Sequence, residues 1–269
     1  MDKVRRMDRL VAMTKVLVDH PHQLFPLNYF NRLFTAAKST LSEDMLTIKQ
    51  ALQHFEMGTL ETVSGAAGGV RYLPYHSEAV IARELTAIAE RLSTAERMIP
   101  GGFLYMSDLL FDPGLMELVG EFFLTRFRDA NPDYIMTVET KGIPLALMTA
   151  RAFRVPLVIV RRGSRVTEGS AVSINYVTGS SRRIQTMSLP KRAIRDGARV
   201  LIIDDFMKAG GTAAGMVDLA KEVGAEAVGV GVLVATQEPE VKMIENYTAL
   251  LILESVNEHN KTVQIRPVL

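Results

Sequence analysis

The stretch Arg199-Val-Leu-Ile-Ile-Asp-Asp-Phe-Met-Lys-Ala-Gly-Gly-Thr-Ala-Ala-Gly215 decides the fold of this chain. Its first part, Val200–Ile203, is apolar and mostly β-branched, which is typical of a parallel strand buried on both faces. The carboxylates Asp204 and Asp205 end this run, and a loop with two glycines follows them. The spacing then predicts a helix from about Thr212 to Val223 and a second apolar strand after it. The sequence therefore predicts an α/β fold built on a parallel sheet.

The loop after this strand combines the groups that suit a ribose 5-phosphate. Ligands of open α/β sheets lie beyond the carboxyl ends of the strands. Gly210 and Gly211 let backbone N–H groups approach a phosphate, and the following helix adds its positive N-terminal end. Two adjacent carboxylates suit a pair of sugar hydroxyls, or a metal ion bound to them. The pattern differs from the two common glycine-rich phosphate motifs, because two acidic residues precede the glycines.

Composition sets wide bounds on the class of protein. The chain has 269 residues, which is enough for two domains. Hydrophobic residues make up 48% and charged residues 23%, as in an ordinary soluble globular protein. The net charge of +1 gives no overall attraction to nucleic acid or membranes, so such a partner would need a local basic patch. With no cysteine, no signal-peptide pattern and no apolar run of membrane-spanning length, we expect a cytoplasmic protein without membrane contact.

Residues 1–74 predict three helices followed by a β-hairpin. Apolar residues recur with helical spacing over 3–20, and a second, short helix follows a proline. Residues 38–41 are interpreted as a turn, and Ser42 as the N-cap of the third helix. The inner face of that helix is predicted to carry Met45, Ile48, Leu52 and Phe55. This order of elements is typical of a winged helix-turn-helix DNA-binding domain.

In such a domain the third helix enters the major groove and the tip of the hairpin is the wing. Polar side chains on the helix would read base edges, and basic side chains around it, Arg9 among them, would contact phosphates. The main DNA-binding candidates are Arg5, Arg6, Lys38, Ser42, Thr47, Lys49, Gln50, Gln53, Gly68 and Arg71. The alternative is a helical dimerisation or capping domain. Two observations favour this alternative. Glu43 and Asp44 would lie near DNA phosphates, and residues 1–74 contain nine Lys and Arg against seven Asp and Glu, which is a small positive excess.

Residues 75–98 predict a connector helix, and residues 99–269 a second domain. In this domain a strand at 134–138 leads into Glu139-Thr-Lys-Gly-Ile-Pro144, a second strand–loop–helix with a small polar loop. Phe103 and Tyr105 are candidates for contact with a ligand base, with core packing as the alternative for each. A basic loop and hairpin follow, which either face the ligand or are solvated; they contain Arg161, Arg162, Arg182 and Arg183.

Leu201–Thr212 resembles the motif by which type I phosphoribosyltransferases bind phosphoribosyl pyrophosphate (PRPP). Glu139–Pro144 resembles the pyrophosphate loop of the same enzymes. The resemblance implies that Asp204 and Asp205 bind the ribose hydroxyls, that residues 209–212 bind the 5-phosphate, and that Lys141 and its neighbours bind the pyrophosphate. The ligand-binding residues implied are Phe103, Tyr105, Thr140, Lys141, Gly142, Arg161, Asp204, Asp205, Phe206, Lys208, Ala209, Gly210, Gly211 and Thr212.

The whole chain, a winged helix joined to a type I phosphoribosyltransferase-like domain, resembles the purine-operon repressors of Gram-positive bacteria. The more specific pieces are Met136–Leu145, Val172–Val177, Arg183–Ser188 and Asp204–Thr212. The resemblance implies a homodimer that binds double-stranded DNA in the control regions of purine genes and is not an enzyme. It also implies PRPP, with or without Mg²⁺, as the effector that relieves repression. The alarmone (p)ppGpp would oppose PRPP in the same pocket, and no other cofactor or metal is implied.

Several alternatives stay open at this point. Some streptococcal-type relatives act as activators, so the sign of regulation is open. A working purine phosphoribosyltransferase, nearest the xanthine enzyme and carrying an added N-terminal domain, is a second possibility, and a PRPP sensor that docks a protein partner is a third. The route of regulation is open too. PRPP could reposition the winged helices, or it could compete with DNA for the basic surface around Arg161, Arg162, Arg182 and Arg183.

Overall fold

The structure is a computed structural model that describes residues 4–65, 67–163, 169–178 and 183–269. The chain divides into two compact units, of which unit 1 comprises Met1–Ser77 with Ala152–Arg154, and unit 2 comprises Glu78–Arg151 with Val155–Leu269. Among the helices of the described ranges, none is both long enough and apolar enough to cross a bilayer.

Unit 1 contains three helices followed by an antiparallel hairpin, as the sequence predicts. Its elements are α1 (Arg6–Val18), α2 (Leu27–Phe34), α3 (Lys38–His54), β1 (Thr59–Val63) and β2 (Gly69–Leu73). The three helices and the hairpin enclose one apolar core, because each contributes fully buried side chains to it. They include Met13, Leu17, Phe30, Leu41 and Leu60, none of which is more than 2% exposed.

Helix α3 begins one turn earlier than the sequence predicts. The prediction of a turn at 38–41 with Ser42 as N-cap is wrong, because α3 starts at Lys38 and extended Ala37 precedes it. The Ser42 hydroxyl instead donates to the Lys38 carbonyl one turn back, at 2.9 Å. Leu41 explains the early start, since it is fully buried and extends the apolar stripe of Met45 and Ile48 by one turn.

Unit 2 is built on a six-stranded sheet. Its helices are α4 (Glu78–Leu92), α5 (Ser107–Leu110), α6 (Pro113–Arg126), α7 (Ile143–Phe153) and α8 (Gly211–Glu222). Its strands are β3 (Met98–Ile99), β4 (Phe103–Leu104), β5 (Tyr134–Val138), β6 (Leu157–Val160), β7 (Ala171–Val177), β8 (Ile184–Pro190), β9 (Arg199–Met207), β10 (Glu226–Thr236), β11 (Thr248–Asn257) and β12 (Thr262–Pro267). The sheet order is β12-β11-β10-β9-β5-β6, and every neighbouring pair is parallel except β11–β12.

The predicted strand–helix–strand unit is confirmed as β9, α8 and β10 at the centre of this sheet. Val200–Ile203 is completely buried within β9, as its apolar composition predicts. Strands β5 and β9 are hydrogen-bonded neighbours that run in parallel, with Met136 opposite Ile202. The carboxyl ends of both strands therefore reach the same edge of the sheet, where ligands of open α/β sheets bind.

Two further elements pack on the sheet or its central helix. Helix α4, which the sequence analysis treats as a connector, packs against β11 and β12 within unit 2. The hairpin β7–β8 lies across α8, where Gly215 leaves room for it. A Cβ atom on Gly215 would lie 2.9 Å from Met187 Cε and 3.0 Å from Tyr176 Cβ. The hairpin therefore packs directly on the backbone of α8.

Candidate functional site

The two carboxylates lie in the last part of β9, which continues to Met207 rather than ending before them. Asp204 is 7% exposed, whereas Asp205 is partly buried. Burial raises the pKa of Asp204 well above its ordinary value, and the adjacent Asp205 carboxylate raises that pKa further. Burial also raises the pKa of Asp205, although the Lys141 ammonium acts in the opposite direction. Both carboxyl groups thus lie in an environment that favours hydrogen bonding to a polar ligand over solvation by water.

The Lys141 loop, residues 139–142, follows β5 and lies close to Asp204. A Cβ atom on Gly142 would be 2.7 Å from Thr137 Oγ1 and 2.9 Å from Asp204 Oδ1, so only glycine leaves room here. The Thr137 hydroxyl is buried and has no hydrogen-bond partner among the described residues. The structure therefore brings the loop of Thr140, Lys141 and Gly142 to the acidic pair, although more than 60 positions separate them in the sequence.

The glycine loop, residues 208–211, connects β9 to α8. Gly210 has a φ of +83°, in the left-handed region that glycine adopts at little cost, and its carbonyl accepts the Ala214 N–H at 2.9 Å. The first N–H groups of a helix have no partner inside it. Within the described ranges, the N–H groups of residues 209–212 donate to no protein acceptor. Ala209, Gly210, Gly211 and Thr212 thus present a row of donors suited to an anion.

A segment after β10 lies against the other side of the glycine loop. Lys242 Nζ donates to the carbonyls of Lys208 and Thr236, each at 2.7 Å, and to Thr236 Oγ1 at 3.3 Å. The Met243 N–H donates to the Ala209 carbonyl at 2.8 Å. The sequence analysis missed both residues. No local pattern marks them, because only the pairing of β9 with β10 brings this segment to the loop.

The aromatic candidates are on the surface and not in the core. Phe103 is 67% exposed and Tyr105 44% exposed, so core packing, the alternative for each, does not describe them. Phe103 is the first residue of β4 and Tyr105 directly follows this strand, whose end is fixed by Arg97. The Arg97 guanidinium binds Asp108 through two hydrogen bonds of 2.7 and 2.9 Å and also donates to the Tyr105 carbonyl at 3.2 Å. Phe206, on β9 beside the acidic pair, is partly buried.

The basic candidates of unit 2 lie near Glu139. The Glu139 carboxylate accepts the Arg162 N–H at 2.9 Å and lies 3.6 Å from Arg161 Nη1. The Arg162 charge lowers the pKa of Asp204, which places it within electrostatic reach of the acidic pair. Arg182 lies outside the described residues, and Arg183 is exposed directly before β8. Of the predicted basic surface, Arg161 and Arg162 are therefore brought to the Lys141 loop.

The polar face of α3 is exposed as predicted. Ser42, Gln50 and Gln53 are exposed, while Thr47 and Lys49 are partly buried. Gln53 donates to Thr59 Oγ1 of β1 at 3.2 Å, which fixes its position relative to the hairpin. Lys38 and Arg5 are exposed. Arg71 forms an ion pair with Glu61, directly opposite on β1, and Gly68 precedes β2 next to residue 66 of the wing tip, which is outside the described residues.

Two charged residues of unit 1 differ from the prediction. The Asp44 side chain is only 1% exposed, although the sequence predicts it to be solvated. It forms ion pairs with the buried Arg9 and the exposed Arg6. Arg9 is therefore not available for phosphate contact, but Asp44 no longer repels DNA, because its charge is neutralised inside the unit. Arg6 also donates to Thr47 Oγ1 at 3.2 Å.

Phe55 also differs from the prediction. It is predicted to lie on the inner face of α3 but is 65% exposed, since α3 ends one residue before it.

Comparison with known proteins identifies both parts of the chain. Residues 5–74 match the family model of the N-terminal domain of bacterial purine repressors, and residues 107–264 match that of phosphoribosyltransferase domains. The chain is 47% identical to the purine biosynthesis transcriptional repressor PurR of Bacillus subtilis (strain 168), over 98% of this chain and 93% of that protein. It is 36% identical to the purine biosynthesis transcriptional activator PurR of Lactococcus lactis subsp. lactis, over 98% of this chain and 97% of that protein.

The fold of unit 2 has counterparts among solved structures. The adenine phosphoribosyltransferase of Rhodothermus marinus superposes with a TM-score of 0.54 and 22% identity, covering 64% of this chain and 99% of that chain. At this identity the likeness concerns the fold alone, and it agrees with the mostly parallel sheet described above. The chain therefore belongs to the bacterial purine repressor family, with a repressor-type N-terminal domain followed by a phosphoribosyltransferase domain.

Proposed function

We propose that the protein is a transcriptional repressor of purine biosynthesis genes that binds operator DNA as a dimer and takes PRPP as its effector. One observation carries the proposal. A single chain holds a repressor-type N-terminal domain and, in the other domain, an acidic pair beside a row of free backbone donors. The full-length likeness to a protein named as a purine biosynthesis repressor supports the choice of target genes. It also favours a regulator over an enzyme.

Each chemical group of PRPP has a matching partner at the carboxyl ends of β5 and β9. The ribose hydroxyls would donate to Asp204 and Asp205, because burial removes both carboxyl groups from the water that would otherwise donate to them. The 5-phosphate would bind the N–H groups of residues 209–212 at the start of α8. The pyrophosphate would bind Lys141 and the amides beside Gly142. Because Gly142 lies against Asp204, these subsites are close enough for one small ligand.

The exposed aromatic side chains distinguish PRPP from nucleotide ligands. PRPP has no base, so Phe103 and Tyr105 would leave it largely untouched. The guanine of (p)ppGpp would pack against these rings and Phe206, while its pyrophosphate and ribose use the same polar groups as PRPP. We therefore propose that (p)ppGpp competes with PRPP for this site. Tighter binding of (p)ppGpp would keep the repressor on DNA when PRPP is scarce.

Mg²⁺ fits the donors of this site in chemical type, since carboxylate, hydroxyl and phosphate oxygens are the ligands it prefers. The described residues contain no group of three or more acidic or histidine side chains that could form a closed metal cage. Asp204 and Asp205 would therefore hold the ion together with the ligand, and the ion would offset the negative charge of the pyrophosphate.

The exposed polar face of α3 is the proposed reader of DNA. The exposed Gln50 and Ser42 would contact base edges, and the partly buried Lys49 and the exposed Lys38 would bind phosphates. Burial of Asp44 with Arg9 supports this role, because it removes an acidic group from the surface that would approach DNA. Arg6, held by Asp44 and Thr47, supplies a cation beside the helix whose side chain is already ordered.

A mobility-shift titration on a purine-gene control region, at fixed salt, tests the proposal. We expect tight, sequence-specific binding that PRPP weakens and that (p)ppGpp protects from PRPP. Binding that PRPP strengthens would instead agree with the activator-type relative. Absence of specific binding would contradict a DNA-binding role. A phosphoribosyl-transfer assay with xanthine, guanine, hypoxanthine and adenine would then test for an enzyme, and we expect no turnover in it.

A further inference from the structure

Lys242 lies next to the glycine loop, yet its side chain points at backbone carbonyls. All three protons of its ammonium group have an acceptor: the Lys208 carbonyl, the Thr236 carbonyl and Thr236 Oγ1. The Thr236 hydroxyl adds contacts of 3.1 Å to the Lys208 carbonyl and 2.6 Å to the Glu238 carbonyl. A charged donor with full coordination holds the Lys208 carbonyl in one orientation, because charge-assisted hydrogen bonds are stronger than neutral ones.

The next peptide group is held from the same side. The Met243 N–H donates to the Ala209 carbonyl at 2.8 Å. Ile244 then closes over Gly210, since a Cβ atom there would lie only 3.1 Å from Ile244 Cγ2. The segment 242–244 thus binds two successive carbonyls of the glycine loop, one through a side chain and one through the backbone.

Fixing these carbonyls also fixes the donors of the loop. In a planar trans peptide group the C=O and the following N–H point in opposite directions. The Lys208 carbonyl points at Lys242, so the Ala209 N–H points away from it. The Ala209 carbonyl points at Met243, so the Gly210 N–H points away as well. Two neighbouring N–H groups directed to the same side, with Gly210 in the left-handed region, form an anion-binding concavity.

We propose that Lys242 is a positioning residue for the ligand's 5-phosphate: with the Met243 amide, it holds the glycine loop so that the Ala209 and Gly210 N–H groups face the phosphate. The inference rests on the proposed binding of PRPP and adds to it a residue outside the motif. Lys242 acts through the loop and needs no contact with the ligand. Its influence is therefore confined to the 5-phosphate and does not extend to the pyrophosphate at the Lys141 loop.

The test compares Lys242→Met with Lys221→Met in the full chain. Lys221 is an exposed lysine near the carboxyl end of α8, so its replacement removes the same charge far from the glycine loop. Calorimetric titrations with PRPP, ribose 5-phosphate and pyrophosphate measure the three affinities separately. We expect K242M to weaken PRPP and ribose 5-phosphate by about tenfold or more, as for loss of a charged hydrogen bond. Pyrophosphate binding should change by less than about twofold, and K221M should match wild type for all three ligands.

Amide hydrogen exchange without ligand gives a second, independent measurement. The Met243 N–H is protected while it is bonded to the Ala209 carbonyl, so K242M should accelerate exchange over residues 241–246 and K221M should not. The inference is overturned if K242M matches wild type in this exchange and in ribose 5-phosphate affinity. Equal weakening of all three ligands would also overturn it, because the effect would then be general damage to the domain.

A third variant covers the case in which K242M does not fold. Thr236→Val removes the hydroxyl that contacts Lys242 and the Lys208 carbonyl but leaves the charge in place. It should weaken ribose 5-phosphate in the same direction and by less, and an unchanged affinity would count against the inference. If the wild-type protein binds neither PRPP nor ribose 5-phosphate, the proposed effector is wrong, and hydrogen exchange alone then decides whether Lys242 holds the loop.

Discussion

At the scale of single residues, the site depends on close approach and on buried charge. Gly142 is the point where the Lys141 loop reaches Asp204, and the absence of a side chain there brings the two loops within reach of one ligand. Asp204 supplies the buried charge, since it is almost wholly removed from water beside a second carboxylate. Burying two neighbouring carboxyl groups lowers the stability of the ligand-free protein. Such an arrangement is typical of groups that serve binding and not stability.

Gly142→Ala should weaken effector binding. The added methyl group would lie 2.7 Å from Thr137 Oγ1 and 2.9 Å from Asp204 Oδ1, so the Lys141 loop must move away from β9. We expect the free energy of unfolding to fall by about 1–3 kcal/mol and the affinity for PRPP to fall about tenfold. Thermal unfolding and calorimetric titration measure the two effects. Gly163→Ala, where no atom of the described residues lies within 4 Å of the added methyl, is the matched control and should change neither.

The raised pKa of Asp204 predicts how stability depends on pH. The pKa of Asp204 is 3.8 in the unfolded chain and higher in the folded chain. In the pH window between these two pKa values, the folded state therefore binds more protons than the unfolded state. The free energy of unfolding contributed by this group therefore falls as pH rises through the window. Denaturant unfolding at a series of pH values should show Asp204→Asn removing this decline, whereas the exposed Asp218→Asn should leave it in place. A decline of equal size in D204N would exclude Asp204 as its source.

At the scale of elements, apolar patterns predicted the order and type of the secondary structure. The strand Val200–Ile203 and the helix after the glycine loop could be recognised because burial on both faces selects a continuous apolar run. The start of α3 could not be recognised in this way. A serine at position 42 could either cap a helix or, inside a helix, donate its hydroxyl to the Lys38 carbonyl. Which occurs depends on the packing of Leu41, a tertiary contact that no local pattern records.

Charged side chains show the same difference between local and tertiary information. The sequence places Asp44 and Arg9 on separate helices and gives no sign that they meet, so both looked like surface charges. In the structure they form a buried pair that links α1 to α3. Lys242 escaped prediction for a similar reason, since its acceptors are carbonyls of Lys208 and Thr236, groups that every residue carries. Side chains that bind backbone atoms leave no compositional signal.

The proposed DNA-reading role of helix α3 predicts different effects for Gln50, which would contact a base edge, and Lys49, which would contact a phosphate. Gln50→Ala should reduce the preference for the operator over unrelated DNA, because a base-edge contact is worth about 1–3 kcal/mol of discrimination. Lys49→Ala should weaken all DNA sequences alike and lower the slope of log affinity against log salt by about one. Titrations at several salt concentrations separate the two effects. If both variants bind operator and unrelated DNA as wild type does, α3 is not the reading element.

At the scale of the whole molecule, the proposed function assigns DNA recognition to unit 1 and effector binding to unit 2. The double acid and its glycine loop pointed to a ribose phosphate from the sequence alone, and the order of three helices and a hairpin pointed to DNA. The family models match the two parts separately, residues 5–74 as a bacterial purine repressor N-terminal domain and residues 107–264 as a phosphoribosyltransferase domain. What the sequence could not supply is how one unit influences the other, because regulation depends on the difference in ligand affinity between two states.

Asp204→Ala combined with Asp205→Ala separates the two activities. Removing both carboxylates deletes the proposed partners of the ribose hydroxyls while leaving the sequence of unit 1 unchanged, so operator affinity without ligand should equal that of wild type. PRPP should then have no effect on the mobility shift, and (p)ppGpp should lose its protection. Circular dichroism establishes that the fold is retained. An unchanged PRPP affinity in this variant would exclude the acidic pair as the ribose site.

The tight packing of hairpin β7–β8 against α8 predicts which mutations a genetic selection would recover. A side chain on Gly215 would collide with Tyr176 and Met187, and Gly215 belongs to the helix whose first residues are the proposed anion site. Any larger residue at 215 would force the hairpin and this helix apart and disturb the site from behind. A selection for cells that no longer switch on purine genes should therefore recover alleles at codon 215, together with alleles that alter the ligand-binding residues themselves.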